Sequence, residues 1–370
     1  MTTDPTHPGD YIQRELDDRG WTQRDLADVL GRTLAAVNEL IRGKRGITPE
    51  TAVALGEAFG TGPEVWMSRE SDYRLSLTPG RGGDIQRRAR LYEVAPIRDM
   101  EKRGWIKKTT DTESLEAELR SFFGVPSLDK PIEFSASLRA KTIPKELSPA
   151  QLAWCFRARQ LATNVLVKSF ETNRAEAATR ELRKLAAYRT EACRLSEVLG
   201  NFGVRFVVVE CLPGAKIDGV AFWIGASPAI ALSLRYDRHD YFWFTLMHEF
   251  MHIANNDSSI DDDLGRDNNI PTAIKDENER RADNQAAELL IPSADLDSFI
   301  RRVGPLYSKT RIIQFAHSIK MHPSVIVGQL QNRGEVGWDS YRDLLTKIRD
   351  NVTETALTDG WGIIVAVEPV

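Results

Sequence analysis

Cysteine is scarce in this chain of 370 residues, which holds three cysteines and no C-x-x-C pair. An odd count without that spacing argues against a disulfide framework and a thiolate metal site. Long apolar runs are also lacking, because no stretch reaches the roughly 18 residues of a transmembrane helix. The first residues lack the basic and apolar segments of a secretory signal. We therefore expect a cytoplasmic protein with no membrane partner.

A strong charge of one sign is absent as well. The net charge is −4, with 28% charged and 42% hydrophobic residues, which is ordinary for a soluble globular protein. The length favours two or three domains. Since bulk charge does not favour a polyanion, any surface that binds nucleic acid must be local.

The segment that organises the chain covers residues 242–252 and contains the pattern His-Glu-x-x-His. On a helix, His248 and His252 lie on one face with Cβ atoms about 5–6 Å apart. Both imidazoles can then bind one metal ion at about 2.0–2.1 Å. Glu249 projects about 100° away from His248, which leaves it free to act on a water molecule. The pattern alone is equally compatible with an amphipathic helix that carries two partly exposed histidines.

A second helix is predicted from Glu279 to Pro292, with an apolar face and a proline at its end. Glu279 and Asp283 lie four positions apart on a shared face. Two histidines and one glutamate form a known catalytic zinc arrangement with an open fourth position. An aspartate one turn further can accept the second ring N–H of a ligand histidine. The alternative for Glu279 is a solvated carboxylate in an acidic stretch.

Three motifs resemble the ImmA/IrrE metallopeptidase family, and in particular its members with a helix-turn-helix domain. They are F-W-F-T-L-x-H-E-x-x-H at 242–252, E-x-x-A-D-x-x-A-A-x-L-L-x-P at 279–292, and the segment 322–331. The resemblance covers roughly residues 203–337 and, separately, the first 75 residues.

This resemblance implies a zinc ion on His248, His252 and Glu279, with Glu249 as the catalytic carboxylate. His322, which precedes a proline, is a candidate donor to the transition state, and a structural role is its alternative.

Residues from about 9 to 75 predict a compact all-helical unit. Thr22 suits the N-cap of one helix, with Asp25 three residues later, and Gly31 ends that helix. Thr33 begins the next helix. A short helix, a turn with glycine and a second short helix form the helix-turn-helix pattern.

This unit resembles the Xre/Cro-type repressor domain, in the variant found in HigA-type antitoxins. By that resemblance the helix after Thr33 enters the major groove of double-stranded DNA. The expected contact residues are Gln23, Arg32, Thr33, Ala35, Ala36, Asn38, Glu39, Arg42, Lys44 and Arg45.

The charge of this unit partly argues against DNA binding, although a local cluster is sufficient for a modest phosphate-binding surface. Residues 1–75 contain nine Arg or Lys against thirteen Asp or Glu, whereas residues 31–48 carry a local charge of +3. A homodimer, which we expect, would double that local charge. The alternative is a helical protein-interaction module that does not bind DNA.

The predicted fold is mainly α with a small β-sheet (α+β), and strands are expected at 204–209, 217–224 and 229–234 in an antiparallel sheet. Five regions are predicted: a helix-turn-helix domain (1–77), a linker (78–95), a helical scaffold (96–200), a zincin-like metallopeptidase core (201–340) and a tail (341–370).

Two functions fit these features. The first is a transcriptional regulator fused to a zinc endopeptidase, whose substrate class is implied by the family to be a repressor-like protein. The second is a HigA-type antitoxin whose peptidase-like domain binds a partner such as a toxin, with little or no proteolysis. The complete set of ligands and Glu249 favours the first, because a binding module has no need of that carboxylate.

Overall fold

The computed structural model of this protein describes residues 6–78, 83–134, 147–256 and 277–360. The chain divides into two compact units, Met1–Ile85 and Gln86–Val370. Within the described residues, no helix is long and apolar enough to cross a bilayer. Residues 79–82 of the predicted linker, the acidic segment 257–276 and residues 361–370 of the predicted tail lie outside the described residues.

The first unit is built from helices, five of which lie wholly within it, and threonine caps begin three of them. The side chains of Thr22, Thr33 and Thr48 each accept a hydrogen bond from the backbone N–H three residues later. Thr22 and Asp25 form the reciprocal capping box, as predicted. The five helices are α1 (Pro8–Arg19), α2 (Gln23–Val29), α3 (Leu34–Ile41), α4 (Pro49–Phe59) and α5 (Pro63–Leu77).

Apolar side chains from all five helices meet in one core. Gly31 follows α2 with φ of +62°, which a residue with a Cβ adopts at a cost, and so allows the tight turn into α3. The predicted helix-turn-helix is confirmed. The fully buried members of this core include Leu16, Val37, Leu55 and Trp66.

The second unit is also mainly helical. Its helices in the described residues are α6 (Asp84–Val94), α7 (Ile97–Lys102), α8 (Thr112–Phe123), α9 (Pro149–Thr163), α10 (Ala175–Leu185), α11 (Leu195–Asn201), α12 (His239–Ala254), α13 (Glu277–Leu290), α14 (Ser293–Val303), α15 (Lys309–Ser318), α16 (Pro323–Asn332) and α17 (Arg349–Thr353), with short 3-10 helices at Thr172–Arg174, Arg189–Arg194 and Arg342–Leu344.

The segment predicted as a linker contains α6. Leu91 of this helix is buried in a core with residues of α7, α8 and α9. Arg87 donates to Glu116 of α8 at 2.7 Å. The second half of residues 78–95 therefore packs on the helical scaffold, while the five domain boundaries stay a prediction.

Within the described residues, the sheet has four strands in the order β2-β3-β1-β4, namely β1 (Arg205–Val208), β2 (Gly219–Ile224), β3 (Ser227–Leu232) and β4 (Leu357–Thr358). The expectation of an antiparallel sheet is wrong for two of the three pairings between these strands. The β2–β3 hairpin is antiparallel, whereas β1 runs parallel to β3 and β4. β3, the second strand of the hairpin, lies beside β1. The sequence pattern of a strand does not specify which neighbour it pairs with. β4 comes from the region predicted as a tail.

Both faces of the sheet are covered. Phe206 and Val208 of β1 pack in the core that contains α12, and Val207 and Val209 pack in the core that contains α9. Burial on both sides explains the continuous apolar run of β1. The predicted mainly α architecture with a small sheet is confirmed, and α12 is held firmly against one face of the sheet.

Candidate metal centre and DNA-binding surface

Helix α12 carries the His-Glu-x-x-His pattern and is buried along most of its length. Glu249 and His252 have no exposed surface, and His248 is 5% exposed. A helix that is apolar nearly all round needs covering on every side, and α12 contacts the sheet, α13 and α16. The alternative of an amphipathic helix with exposed histidines does not describe this structure.

Three potential metal-ligand atoms converge. The Nε2 atoms of His248 and His252 lie 2.9 Å apart. Glu279 places one carboxylate oxygen 3.2 Å from His248 Nε2 and the other 3.3 Å from His252 Nε2. Ligands about 2.0–2.1 Å from a tetrahedral ion are themselves separated by about 3.3 Å, so this triangle fits one ion. Within the described residues, these three form the one group of His, Cys, Asp or Glu that could hold a metal ion.

Glu279 is buried against the two histidines near the start of α13. Burial raises its pKa, but the contacts with His248 and His252 lower it more, and the pKa falls to about 2. The carboxylate is therefore negatively charged across the physiological range. A solvated surface carboxylate, the alternative for this residue, does not fit its 6% exposure.

Asp283 lies one turn beyond Glu279 and contacts the other nitrogen of His248. Its Oδ1 is 2.9 Å from Nδ1 of that histidine. A carboxylate accepts the Nδ1 proton, and this leaves the lone pair of Nε2 directed at the ligand triangle. The structure thus brings together all four residues that the two helices were predicted to contribute around a metal.

Glu249 lies beside the edge strand β2. A Cβ atom placed on Gly219 would be 3.0 Å from Glu249 Oε1 and 2.7 Å from a methyl carbon of Leu232. The absent side chain of Gly219 therefore lets the backbone of β2 pass close to the carboxylate. This role of Gly219 was not predicted from the sequence, although a glycine at a strand position signals the close approach of another group.

His322, the candidate donor to the transition state, lies elsewhere. Its Nδ1 is 2.8 Å from Ser324 Oγ, and its ring lies against that of His239 at a tilt of 32°, with 4.2 Å between the ring centroids. His239 precedes His248 by nine residues, which is about 13.5 Å along a helix. The structure does not bring His322 to the ligand triangle, and we do not assign it a catalytic role.

His239 is a buried polar residue whose hydrogen-bond network was not predicted from the sequence. It has no exposed surface, and its Nδ1 lies 3.1 Å from Ser324 Oγ. Burial, together with the neighbouring His322 and Arg189, lowers its pKa to about 2. It is therefore neutral and supports the packing of α16 on α12.

The ten residues predicted to contact DNA cluster around α3. Arg32, Ala36, Asn38 and Gln23 are half-buried, and the other six are exposed. Asn38 Nδ2 donates to Gln23 Oε1 at 3.0 Å, which links α3 to α2. Arg32 donates to Thr51 of α4 at 2.9 Å. These hydrogen bonds tie Arg32, Asn38 and Gln23 into the domain, while the six exposed residues remain accessible.

Two family models match the chain. One, described as helix-turn-helix, matches residues 12–66, and the other, described as an IrrE N-terminal-like domain, matches residues 202–317.

Two curated relatives show similarity to part of the chain. Virulence-associated protein A' of Dichelobacter nodosus is 41% identical over 73 residues, which are 20% of this chain and 64% of that protein. The uncharacterized HTH-type transcriptional regulator YddM of Escherichia coli (strain K12) is 30% identical over 84 residues, which are 23% of this chain and 88% of that protein. The chain thus spans slightly less than two thirds of the first relative.

Two solved structures are similar over 20% of this chain. One is PA4674 of Pseudomonas aeruginosa in complex with its operator DNA, with 34% identity, a TM-score of 0.19 and 78% of that chain covered. The other is an addiction module antidote protein of the HigA family from Coxiella burnetii, with 32% identity, a TM-score of 0.20 and 83% of that chain covered.

Proposed function

The chain belongs to the ImmA/IrrE-type proteins with an N-terminal helix-turn-helix domain, and from this premise we propose that it is a DNA-binding regulator with zinc-dependent endopeptidase activity. One observation supports the peptidase half above all: the donor atoms of His248, His252 and Glu279 converge within 3.3 Å of each other. Three protein ligands with an open position are typical of catalytic zinc, whereas structural zinc takes four.

The residues around the triangle have separate tasks in this proposal. His248 and His252 would bind zinc through Nε2, and Glu279 through its carboxylate. When bound, zinc would supply a Lewis acid for the scissile carbonyl and lower the pKa of water to about 7. Asp283 keeps the His248 ring in the required tautomer. Glu249 accepts a proton from the attacking water and passes it to the leaving amine.

The edge strand provides a place for the substrate backbone. β2 pairs with β3 on one side, and no described strand pairs with its other side. An extended peptide can add to such an edge by main-chain hydrogen bonds. Because Gly219 brings this edge against Glu249, we place the scissile bond near Gly219. The family resemblance implies a repressor-like protein as substrate.

The helix-turn-helix domain is proposed to bind operator DNA through α3. Its exposed basic side chains, Arg42, Lys44 and Arg45, follow the helix and can contact phosphates. Asn38 has the donor and acceptor pattern that reads adenine. A homodimer would present two such helices to two half-sites.

The decisive experiment compares the wild type with Glu249→Gln and His248→Ala. Because Glu249 is not a ligand in this scheme, Glu249→Gln should keep one zinc per chain and DNA binding. Hydrolysis of a repressor-like regulator that is encoded near this gene should fall by about 10²–10⁴-fold, which is the usual contribution of a positioned base. His248→Ala should lose zinc as well.

An antitoxin-like binder predicts a different result. In cells that carry a reporter of transcriptional repression, Glu249→Gln would then respond to the inducing signal as the wild type does, whereas His248→Ala would not respond. That outcome would make the zinc structural and the peptidase proposal wrong. A wild-type protein that stays metal-free after incubation with zinc would also refute it.

A further inference from the structure

Leu34, the first residue of α3, is a large apolar side chain that stays 44% exposed. Val37 lies three positions later, one turn along the same face of the helix, and is fully buried in the core of the helix-turn-helix unit. The helix therefore leaves the core at its start, and it presents an apolar side chain there.

The position of Leu34 gives its side chain a direction. Side chains on an α-helix tilt toward the N-terminus of the helix. The residue before Leu34 is the cap, Thr33, whose Oγ1 accepts a hydrogen bond from the backbone N–H of Ala36 at 3.2 Å. Leu34 thus belongs to the end of α3 that, in a helix-turn-helix domain, contacts base edges in the major groove.

The other end of α3 is followed by a cationic turn. Arg42, Lys44 and Arg45 are exposed there. The helix has 8 residues and is therefore about 12 Å long, which is about the width of the major groove. Basic side chains at one end can therefore contact phosphates at the border of the groove while the first residue reaches the bases inside it.

Two polar side chains in the same region are held by other residues of the domain. Asn38 donates to Gln23 at 3.0 Å, and Arg32 donates to Thr51 at 2.9 Å. Leu34 itself has neither a donor nor an acceptor in its side chain. The start of α3 is therefore suited to contact an apolar group of a base pair.

We propose that Leu34 recognises the C5-methyl group of an operator thymine by direct apolar contact, a role that rests on the proposed binding of DNA through α3. This methyl group is the apolar group by which thymine differs from the other bases in the major groove. A leucine side chain that removes it from water stabilises the complex. The contact favours thymine at one base pair in each half-site.

Replacement of thymine by deoxyuridine tests this contact, because it removes the methyl group and keeps the hydrogen-bonding groups of the base. The full chain is first used to enrich sequences from a pool of random duplexes. Each thymine of the enriched sequence is then replaced in turn, and fluorescence anisotropy measures affinity at one fixed salt concentration. At one thymine per half-site, the wild type should bind about fourfold more weakly, the loss expected for one methyl group.

Substitutions of Leu34 assign the effect to this side chain. Leu34→Ala should bind the thymine duplex about fourfold more weakly or worse, and it should lose no further affinity on the deoxyuridine duplex. Leu34→Met keeps an apolar side chain of similar volume and should keep the dependence on the methyl group.

The matched control is Val53→Ala, because Val53 on α4 is exposed to nearly the same extent, 47%. It should lose affinity on the deoxyuridine duplex as the wild type does. All three variants should keep the melting temperature of the wild type, since substitutions at exposed positions change stability little.

An enriched sequence that lacks thymine, or that shows no methyl effect at any thymine, would overturn the role of Leu34 and leave DNA binding in place. A methyl effect that persists unchanged in Leu34→Ala would do the same. Failure to enrich any sequence would instead refute the proposed binding of operator DNA through α3, and the thymine contact with it.

Discussion

The two units present their functional residues in opposite ways. In the helix-turn-helix unit, most of the candidate DNA contacts come from one short segment, 32–45, and six of the ten are exposed. In the other unit, the candidate metal centre joins side chains of α12 and α13, and its three candidate ligands are buried.

In the helix-turn-helix unit, the residues that stabilise the fold differ from most of those proposed to bind DNA. In the other unit, the candidate metal ligands are themselves part of the buried interior. An exposed side chain on α3 can change with little effect on stability, since surface substitutions are usually within about 0.5 kcal/mol. A buried candidate ligand cannot be replaced without a loss of stability, because its removal leaves the buried polar groups that it contacts without a hydrogen-bond partner. Four predictions test or refine this contrast.

The largest effect is expected for His252→Ala. This substitution removes one of the three proposed zinc ligands. Zinc affinity should therefore fall by more than the roughly 10–100-fold that is lost when a residue hydrogen-bonded to a ligand is removed. Metal content after gel filtration measures this. His317→Ala, at an exposed position on α15, is the control and should keep one zinc per chain. Both variants should still bind DNA. If His252→Ala alone lost DNA binding, the two units would not act independently, and the contrast between them would be wrong.

The next effect is expected for Asp283→Ala. Its carboxylate lies 2.9 Å from His248 Nδ1, and without it the ring loses its fixed tautomer. Zinc affinity, measured by competition with a chelating dye, should fall by about 10–100-fold. Asn284→Ala on the same helix is exposed and should have no effect. Equal affinities in the two variants would remove Asp283 from the centre.

In the helix-turn-helix unit, Lys44→Ala at an exposed position and Asn38→Ala at a half-buried one should have different kinds of effect. Loss of a phosphate contact weakens binding to all sequences and lowers the salt slope by about one. Loss of a base contact relaxes specificity by about 1–3 kcal/mol at one position. Fluorescence titrations with operator and random DNA measure both. Equal losses on both DNAs for the two variants would contradict this division, and neither variant should alter zinc content.

The last prediction concerns pH and His239. The folded protein holds the pKa of this buried ring at about 2, against an ordinary value of 6.5. Below pH 6.5 the unfolded chain binds a proton that the folded chain excludes, so stability is lost as the pH falls toward 2. From pH 7 to 5 this group should cost about 2 kcal/mol.

Urea denaturation of the metal-free protein at pH 7, 6 and 5 measures that loss. The variant His239→Asn has no titrating ring at this position, so its free energy of unfolding should depend less steeply on pH. Identical slopes for the variant and the wild type would show that the ring is protonated in the folded state.

The arrangement of the candidate metal centre could be predicted because helix geometry sets the spacing within each pair of residues. His248 and His252 are four positions apart, and so are Glu279 and Asp283, which places each pair on one face whatever the surrounding fold. The caps of Thr22 and Thr33 were predictable for the same reason, since each bond spans three residues.

The features that depend on packing could not be predicted in this way. The position of His322 follows from the close approach of α16 to the start of α12, where a Cβ on Gly328 would lie 2.5 Å from Asp240. The parallel pairing of β1 with β3 depends on which strand of the hairpin lies inside the sheet. Neither the helix contact nor the strand pairing produces a recognisable pattern in the local sequence.

The short strand β4 has a consequence for the order of events during protein synthesis. It pairs with β1 although about 150 residues separate them in the chain. The ribosome releases the chain from its N-terminus, and domains generally fold as they emerge. The helix-turn-helix unit can therefore fold, and meet its DNA, while most of the chain is still being translated. The sheet that supports the metal helix gains its last strand only after Thr358 has left the ribosome.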